Sequence, residues 1–202
     1  MRLPRHRLTR RYDRLLRMAS WLLRLLGPDV HGGAEEGLGL TFDMNRLFQE
    51  AVSVALGAAI RRHARHQQLR LTREQPVRAL VKDASETGRF MLRPDLCLWL
   101  EDQLIAILDT KWKRLSPVHD QHKADISQAD LYQLLAYGHA YGCDRLVLIY
   151  PHHPGLQDWS LPRFRYCSST PSDIALQVAA FDLQASRCAA DQLLEQQFDG
   201  LG

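Results

Sequence analysis

The segment Ile105-Ala106-Ile107-Leu108-Asp109-Thr110-Lys111 constrains this chain more than any other. Its first four residues make a strand that a protein interior should claim, yet the strand ends in an acid and a base. Strand side chains alternate between faces, so Ile105, Ile107, Asp109 and Lys111 are expected to share one face. Burying a carboxylate and an ammonium at the end of a core strand costs free energy unless a specific role offsets it. Fourteen residues before Asp109 stands Asp95, in Arg93-Pro94-Asp95. The sequence between has the form of a hairpin, with strands over Phe90–Leu100 and Gln103–Trp112 and a polar turn at Glu101-Asp102. If three residues make the turn, Leu100 faces Leu104, Asp95 faces Asp109 and Arg93 faces Lys111. Opposed Cβ atoms sit about 4.5–5.5 Å apart, and like charges there destabilise a sheet. A divalent cation between the carboxylates removes that repulsion. Hard oxygen donors suit Mg²⁺, which keeps most of its waters, and Mn²⁺ is expected to substitute. Lys111 then stands where it can orient an attacking water or hold a phosphate. The competing reading is an ordinary strand end with Asp95 and Lys111 in salt bridges, and a one-residue slip would remove the site.

Two helical patterns add candidates. Over Ile126–Tyr141, Asp130, Gln133 and Tyr137 fall on one stripe, while Leu131, Leu134, Leu135 and Gly138 form the packed stripe. Gln133 and Tyr137, one turn apart, can hold a DNA backbone or the waters of a metal. Asp130 has a second reading, because Ser127-x-x-Asp130 resembles a capping box. An earlier helix from Asp43 to Arg62 starts at a capping Asp43 and carries an apolar face that includes Phe48, Val52, Leu56 and Ala59. Glu50 lies at the edge of that face and is the candidate third metal ligand beside Asp95 and Asp109.

The remaining pattern gives a strand at Leu146–Tyr150, weaker strands near Phe164–Cys167 and Ile174–Leu183, a strand at Val77–Val81, and a last helix near Ala189–Phe198. This order predicts an α/β fold, a mixed central β-sheet flanked by helices. The 202 residues accommodate one such domain over 41–202, preceded by a basic helix and a Gly-rich linker over 1–40. Net charge is only +3, but arginines cluster in residues 1–26 and again from Arg61 to Arg78. Such clusters suit phosphate contacts, with a solvated helix face as the alternative. The four cysteines are far apart, as expected of reduced thiols in a cytoplasmic protein. His63-x-x-His66 and His119-x-x-His122 lack the spacing of a zinc site and read as surface histidines. No apolar run reaches the ~20 residues of a membrane span. No GxxxxGK[ST] loop is present, so the chain is expected to bind no nucleotide itself.

Phe42-Asp43-Met44-Asn45-x-Leu47-Phe48, Arg93-Pro94-Asp95, Leu108-Asp109-Thr110-Lys111-Trp112-Lys113, Asp130-Leu131-Tyr132-Gln133-Leu134-x-Ala136-Tyr137 and Leu148-Ile149-Tyr150-Pro151 together resemble the McrC family. These are the nuclease subunits of 5-methylcytosine-specific restriction systems. The resemblance covers about residues 10–185 in order. It implies a PD-(D/E)xK restriction-endonuclease-like core, Mg²⁺-dependent cleavage of double-stranded, methylated DNA, and an McrB-like AAA+ GTPase partner. Asp95, Asp109, Lys111, Gln133 and Tyr137 become the catalytic set, with a homodimer as the arrangement that would cut both strands. Gln133-x-x-x-Tyr137 also resembles the matching motif of RecB-like nucleases. Two departures stand out. Family members usually carry a Glu directly after Leu-Phe, where this chain has Gln49 and then Glu50. They also have a substantial N-terminal region that engages the motor, whereas about 40 residues precede Phe42 here, as in a fragment or a compact variant. The rival expectations are a stand-alone RecB-like repair or junction nuclease, and a catalytically impaired interaction subunit of the motor.

Overall fold

The computed structural model describes residues 42–63, 68–116, 125–157, 160–167 and 173–198, all within the unit Phe42–Gly202. The basic helix and linker expected over 1–40 lie outside these residues, as do His66, His119 and His122.

Helix α1 (Met44–Arg62) begins where Asp43 turns extended and its Oδ1 accepts the Arg46 N–H at 3.2 Å, the expected cap. Strands β1 (Leu69–Arg73), β2 (Arg78–Lys82), β3 (Gly88–Leu92), β4 (Leu96–Leu100) and β5 (Gln103–Thr110) follow. Next come α2 (Gln128–Tyr141), β6 (Arg145–Pro151), β7 (Arg163–Arg165), β8 (Ala175–Phe181) and α3 (Ser186–Phe198). Six strands form one mixed sheet in the order β1-β4-β5-β6-β8-β7, and β2-β3 form a separate hairpin. The pairs β1–β4, β4–β5 and β7–β8 are antiparallel, whereas β5–β6 and β6–β8 are parallel. A parallel neighbour needs a crossover, and α2 supplies the one between β5 and β6.

Leu146–Tyr150 are all buried, the continuous apolar run of a strand covered on both faces. On one face α1 and α3 bring Phe48, Val52, Leu56, Ala190 and Leu193 onto Leu96, Leu98, Leu108, Val147 and Ile149. On the other, Leu134, Tyr137 and Tyr141 of α2 pack on Cys97, Ile107, Leu146 and Leu148. Each fully buried side chain of this kind contributes about 1.5–3 kcal/mol. All four cysteines are free, Cys97 and Cys143 buried and Cys167 and Cys188 exposed. Among the described residues no helix is long and apolar enough to cross a membrane.

Four details depart from the sequence expectations. The run Phe90–Leu100 is two strands, broken at the buried Pro94, which has no N–H to give a ladder. Part of the second arginine block is itself a strand, β1, whose buried Leu69 and half-buried Leu71 pair with β4. The hairpin turn holds two residues instead of three: Leu100 pairs with Gln103, and Glu101 takes a positive φ of 53°. A bulge then restores the expected count. Trp99 pairs with Leu104 but Leu98 pairs with Ala106, leaving Ile105 unpaired. Ile105 therefore joins Ala106 on the α1 face, not Ile107 on the α2 face.

Helix α2 rides close to the sheet at Gly138. A Cβ there would lie 3.1 Å from the Cys143 carbonyl oxygen and 3.3 Å from Leu146 Cδ1. Gly142, with φ 64°, ends the helix in the left-handed conformation that suits glycine. We expect Gly138→Val to destabilise the chain by about 1–3 kcal/mol through overpacking. A lower urea midpoint with an unchanged slope would register it.

Candidate active site

Beyond the bulge the ladder ends at the pair Leu96–Leu108, which leaves Asp95 and Asp109 as the next residues outward on the two chains, near enough for Asp95 to act on Asp109 electrostatically. The β4–β5 ladder does not extend to Arg93 and Lys111, while on the other edge of β5 the Lys111 N–H continues the bonding to β6 through the Ile149 carbonyl at 2.9 Å. Thr110 anchors Asp95. Its N–H and its hydroxyl both donate to Asp95 Oδ2, at 2.8 and 2.7 Å. The Asp95 carbonyl accepts the Glu74 N–H at 3.0 Å and Gln49 Nε2 at 3.5 Å. Asp109, only 2% exposed, has Lys111 Nζ 2.7 Å from its Oδ2. That contact is an ion pair that falls short of hydrogen-bond geometry, and among the described residues Oδ2 accepts no aligned hydrogen bond. Trp112 closes the strand end onto α1: its N–H donates to Asn45 Oδ1 at 3.2 Å and its ring lies 5.6 Å from that of Phe48.

The remaining predicted residues continue from Lys111. Lys111 Nζ donates to Gln133 Oε1 at 2.9 Å, Gln133 Nε2 to the Tyr137 oxygen at 2.7 Å, and the Tyr137 hydroxyl to the Arg93 carbonyl at 3.1 Å. Asp109, Lys111, Gln133 and Tyr137 are thus one connected chain that ends beside Asp95. Asp130 is 7% exposed and does not close a capping box, since Ser127 makes no side-chain cap bond. Its Oδ2 instead accepts Lys113 Nζ at 2.8 Å, and its Oδ1 lies 3.8 Å from Lys111 Nζ.

Burial and then repulsion by Asp95 push the Asp109 carboxyl up to about 6, with Lys111 pulling the other way. Burial alone would lower the Lys111 amine, but Asp109, Asp130 and Asp95 outweigh it and raise it overall. Burial pushes the Tyr137 phenol up to about 12, against the bond from Gln133. Among the described residues the buried Tyr150 hydroxyl has no hydrogen-bond partner, and both Asp130 and Asp109 act on it electrostatically.

Glu50 is not brought to this group. Both terminal nitrogens of Arg73 hold its exposed carboxylate. One residue turns a helix by 100°, and it is the buried Gln49 that faces Asp95. Among the described residues no three His, Cys, Asp or Glu side chains gather as a metal-ligating group. The fit to a cation rests on Asp95 and Asp109: two hard oxygen donors, one with a buried oxygen that lacks an aligned donor. That set suits an ion that takes few protein ligands and keeps its waters. The sequence reading gave no role to Thr110 or Lys113, and it chose Glu50 over Gln49 as the residue of α1 that reaches the site. Lys113 shares the strand parity of Asp109 and Lys111, the one signal that could have found it. Several arginines of the second block are engaged within the chain. Arg62 pairs with Asp191 at 2.7 Å, Arg70 lies over Trp99, and Arg78 lies over Tyr141 while donating to the Ala140 carbonyl.

A carboxyl whose folded pKa is raised binds its proton more tightly folded than unfolded. Metal-free stability should therefore fall as pH rises from about 4 through about 6. Asp109→Asn is expected to flatten that dependence and stabilise the metal-free chain at pH 7 by about 1–3 kcal/mol, seen in melts across pH.

A family model described as McrBC 5-methylcytosine restriction system component matches residues 2–151. No curated protein matches the chain. Among solved structures, a chain of the refined half-complex from the tetradecameric assembly of Thermococcus gammatolerans McrB AAA+ hexamers with bound McrC aligns with a TM-score of 0.62. Identity is 16%, and the alignment covers 96% of the present chain but 40% of that one. At such identity the likeness speaks to the fold.

Proposed function

The chain belongs to the McrBC 5-methylcytosine restriction system component family, and from that premise we propose that it is a Mg²⁺-dependent DNA endonuclease of the PD-(D/E)xK type, acting with an McrB-like, GTP-driven AAA+ partner. The observation that carries this reading is the convergence of Asp95 and Asp109 just past the end of the β4–β5 ladder, with Lys111 on the Asp109 carboxylate. Asp95 and Asp109 would hold the ion, and Mn²⁺ would serve in its place. A bound Mg²⁺ would supply Lewis-acid stabilisation of phosphate charge and make a water easier to deprotonate. Lys111, held by Gln133, presents an ammonium that can bind the scissile phosphate or orient the attacking water. Gln133 and Tyr137 fix that ammonium by tying it to the Arg93 carbonyl next to Pro94-Asp95. Thr110 fixes the Asp95 carboxylate from the other side. The partner would bring the methylated site to this centre, and a second copy of the chain would cut the second strand. Both would work in the cytoplasm, where the free thiols stay reduced.

A second reading has one observation in its favour. Glu50 is committed to Arg73, and Gln49 faces Asp95 where the family carries Glu. That substitution suits an interaction subunit whose cleavage is weak or lost.

Plasmid cleavage with Mg²⁺ or Mn²⁺, on methylated and unmethylated DNA, with and without an McrB-type motor and GTP, separates the two. Asp109→Ala and Lys111→Ala should each lower cleavage by about two to three orders of magnitude, and Gln133→Ala by about tenfold. Cleavage unchanged by Asp109→Ala would sink the nuclease assignment. Gln49→Glu should raise activity if the second reading holds.

A further inference from the structure

The geometry points to Asp130 as a positioning residue that takes over the Lys111 ammonium when a divalent cation occupies the Asp95–Asp109 pair. This inference rests on reading those two carboxylates as a metal site. Lys111 Nζ lies 2.7 Å from Asp109 Oδ2. A cation on the same carboxylate would bring two positive centres together in a site where Asp109 is 2% exposed, and poor screening makes that costly. Lys111 therefore has to leave Asp109 for a cation to bind. Its side chain is 16% exposed, so retreat into bulk water is not free either, and Gln133 offers only a neutral acceptor.

Asp130 Oδ1 stands 3.8 Å from the ammonium. A shift of about 1 Å would make that a hydrogen bond. The carboxylate is already fixed for the purpose. Lys113 holds Oδ2 at 2.8 Å, which leaves Oδ1 toward Lys111. Asp130 also sits in the first turn of α2, where the helix dipole favours an anion. That dipole explains an acid at this position but not its burial between two lysines. After the transfer Lys111 would stay between Gln133 and Asp130, beside the cation and free of its ligand. From there it can face a phosphate while Asp95 and Asp109 serve the metal.

The test is a double-mutant cycle on Mg²⁺ affinity, read by calorimetry on the full chain at constant pH, without DNA. Asp130→Asn is expected to weaken Mg²⁺ binding about tenfold when Lys111 is present. In a Lys111→Met background the same change should cost less than about twofold. Equal losses in the two backgrounds would mean that Asp130 acts on the cation by charge alone, and would overturn the inference. If the Asn variant does not fold, Asp130→Glu carries the same cycle, and its effect must likewise vanish with Lys111→Met. Mg²⁺ binding that Asp109→Ala abolishes, without coupling between Asp130 and Lys111, would leave the metal site standing and remove the handover. A wild-type chain that binds no Mg²⁺ would remove both.

Discussion

Two acids brought together at the open end of one β-hairpin govern this molecule. Asp95 and Asp109 stand just beyond the last pair of the β4–β5 ladder, Leu96 with Leu108, and nothing in the ladder makes their approach favourable. Each is managed separately. Thr110 draws Asp95 aside with its N–H and hydroxyl, while the Lys111 ammonium neutralises Asp109. Burial first, and repulsion by Asp95 after it, still hold the Asp109 carboxyl above its usual range. A protein selected for stability alone would place an apolar pair there. The cost is understandable where the carboxylates have a ligand to hold.

The rest of the fold serves that edge. Parallel pairing of β5 with β6 sends the chain out through α2 and back, so the helix necessarily crosses above the strand end. Its close approach at Gly138 sets the height at which Gln133 meets Lys111 and Tyr137 meets the Arg93 carbonyl. On the opposite face α1 reaches the same edge through Gln49 and Asn45. Both helical layers therefore converge on one strand terminus.

Much of this was legible in the sequence. Period two along Ile107, Asp109 and Lys111, and period 3.6 along Asp130, Gln133 and Tyr137, follow from backbone geometry alone, and the residues they align do meet. What was not legible depends on rotation or register settled by tertiary contacts. Gln49 and Glu50 differ by 100° about the axis of α1, and only packing decides which one looks inward. β1 hid because its polar residues, Arg70, Thr72 and Arg73, outnumber its apolar ones, and the strand exists through pairing with β4. Thr110 lay in plain view as the middle residue of Asp-x-Lys, but its grip on Asp95 arises from the bend that follows Pro94.

The unpaired Ile105 has a further meaning for how such a chain can change. The two-residue tip at Glu101-Asp102 and the carboxylate pair lie at opposite ends of the β4–β5 hairpin, with the bulge between them. The bulge resets the phase of the ladder, so the tip and the acids are not tied to a single count. A tip of another length, offset by gain or loss of that one residue, would leave the acids together. The distal loop is thereby set apart from the carboxylates, and a change in its length need not disturb where Asp95 and Asp109 stand.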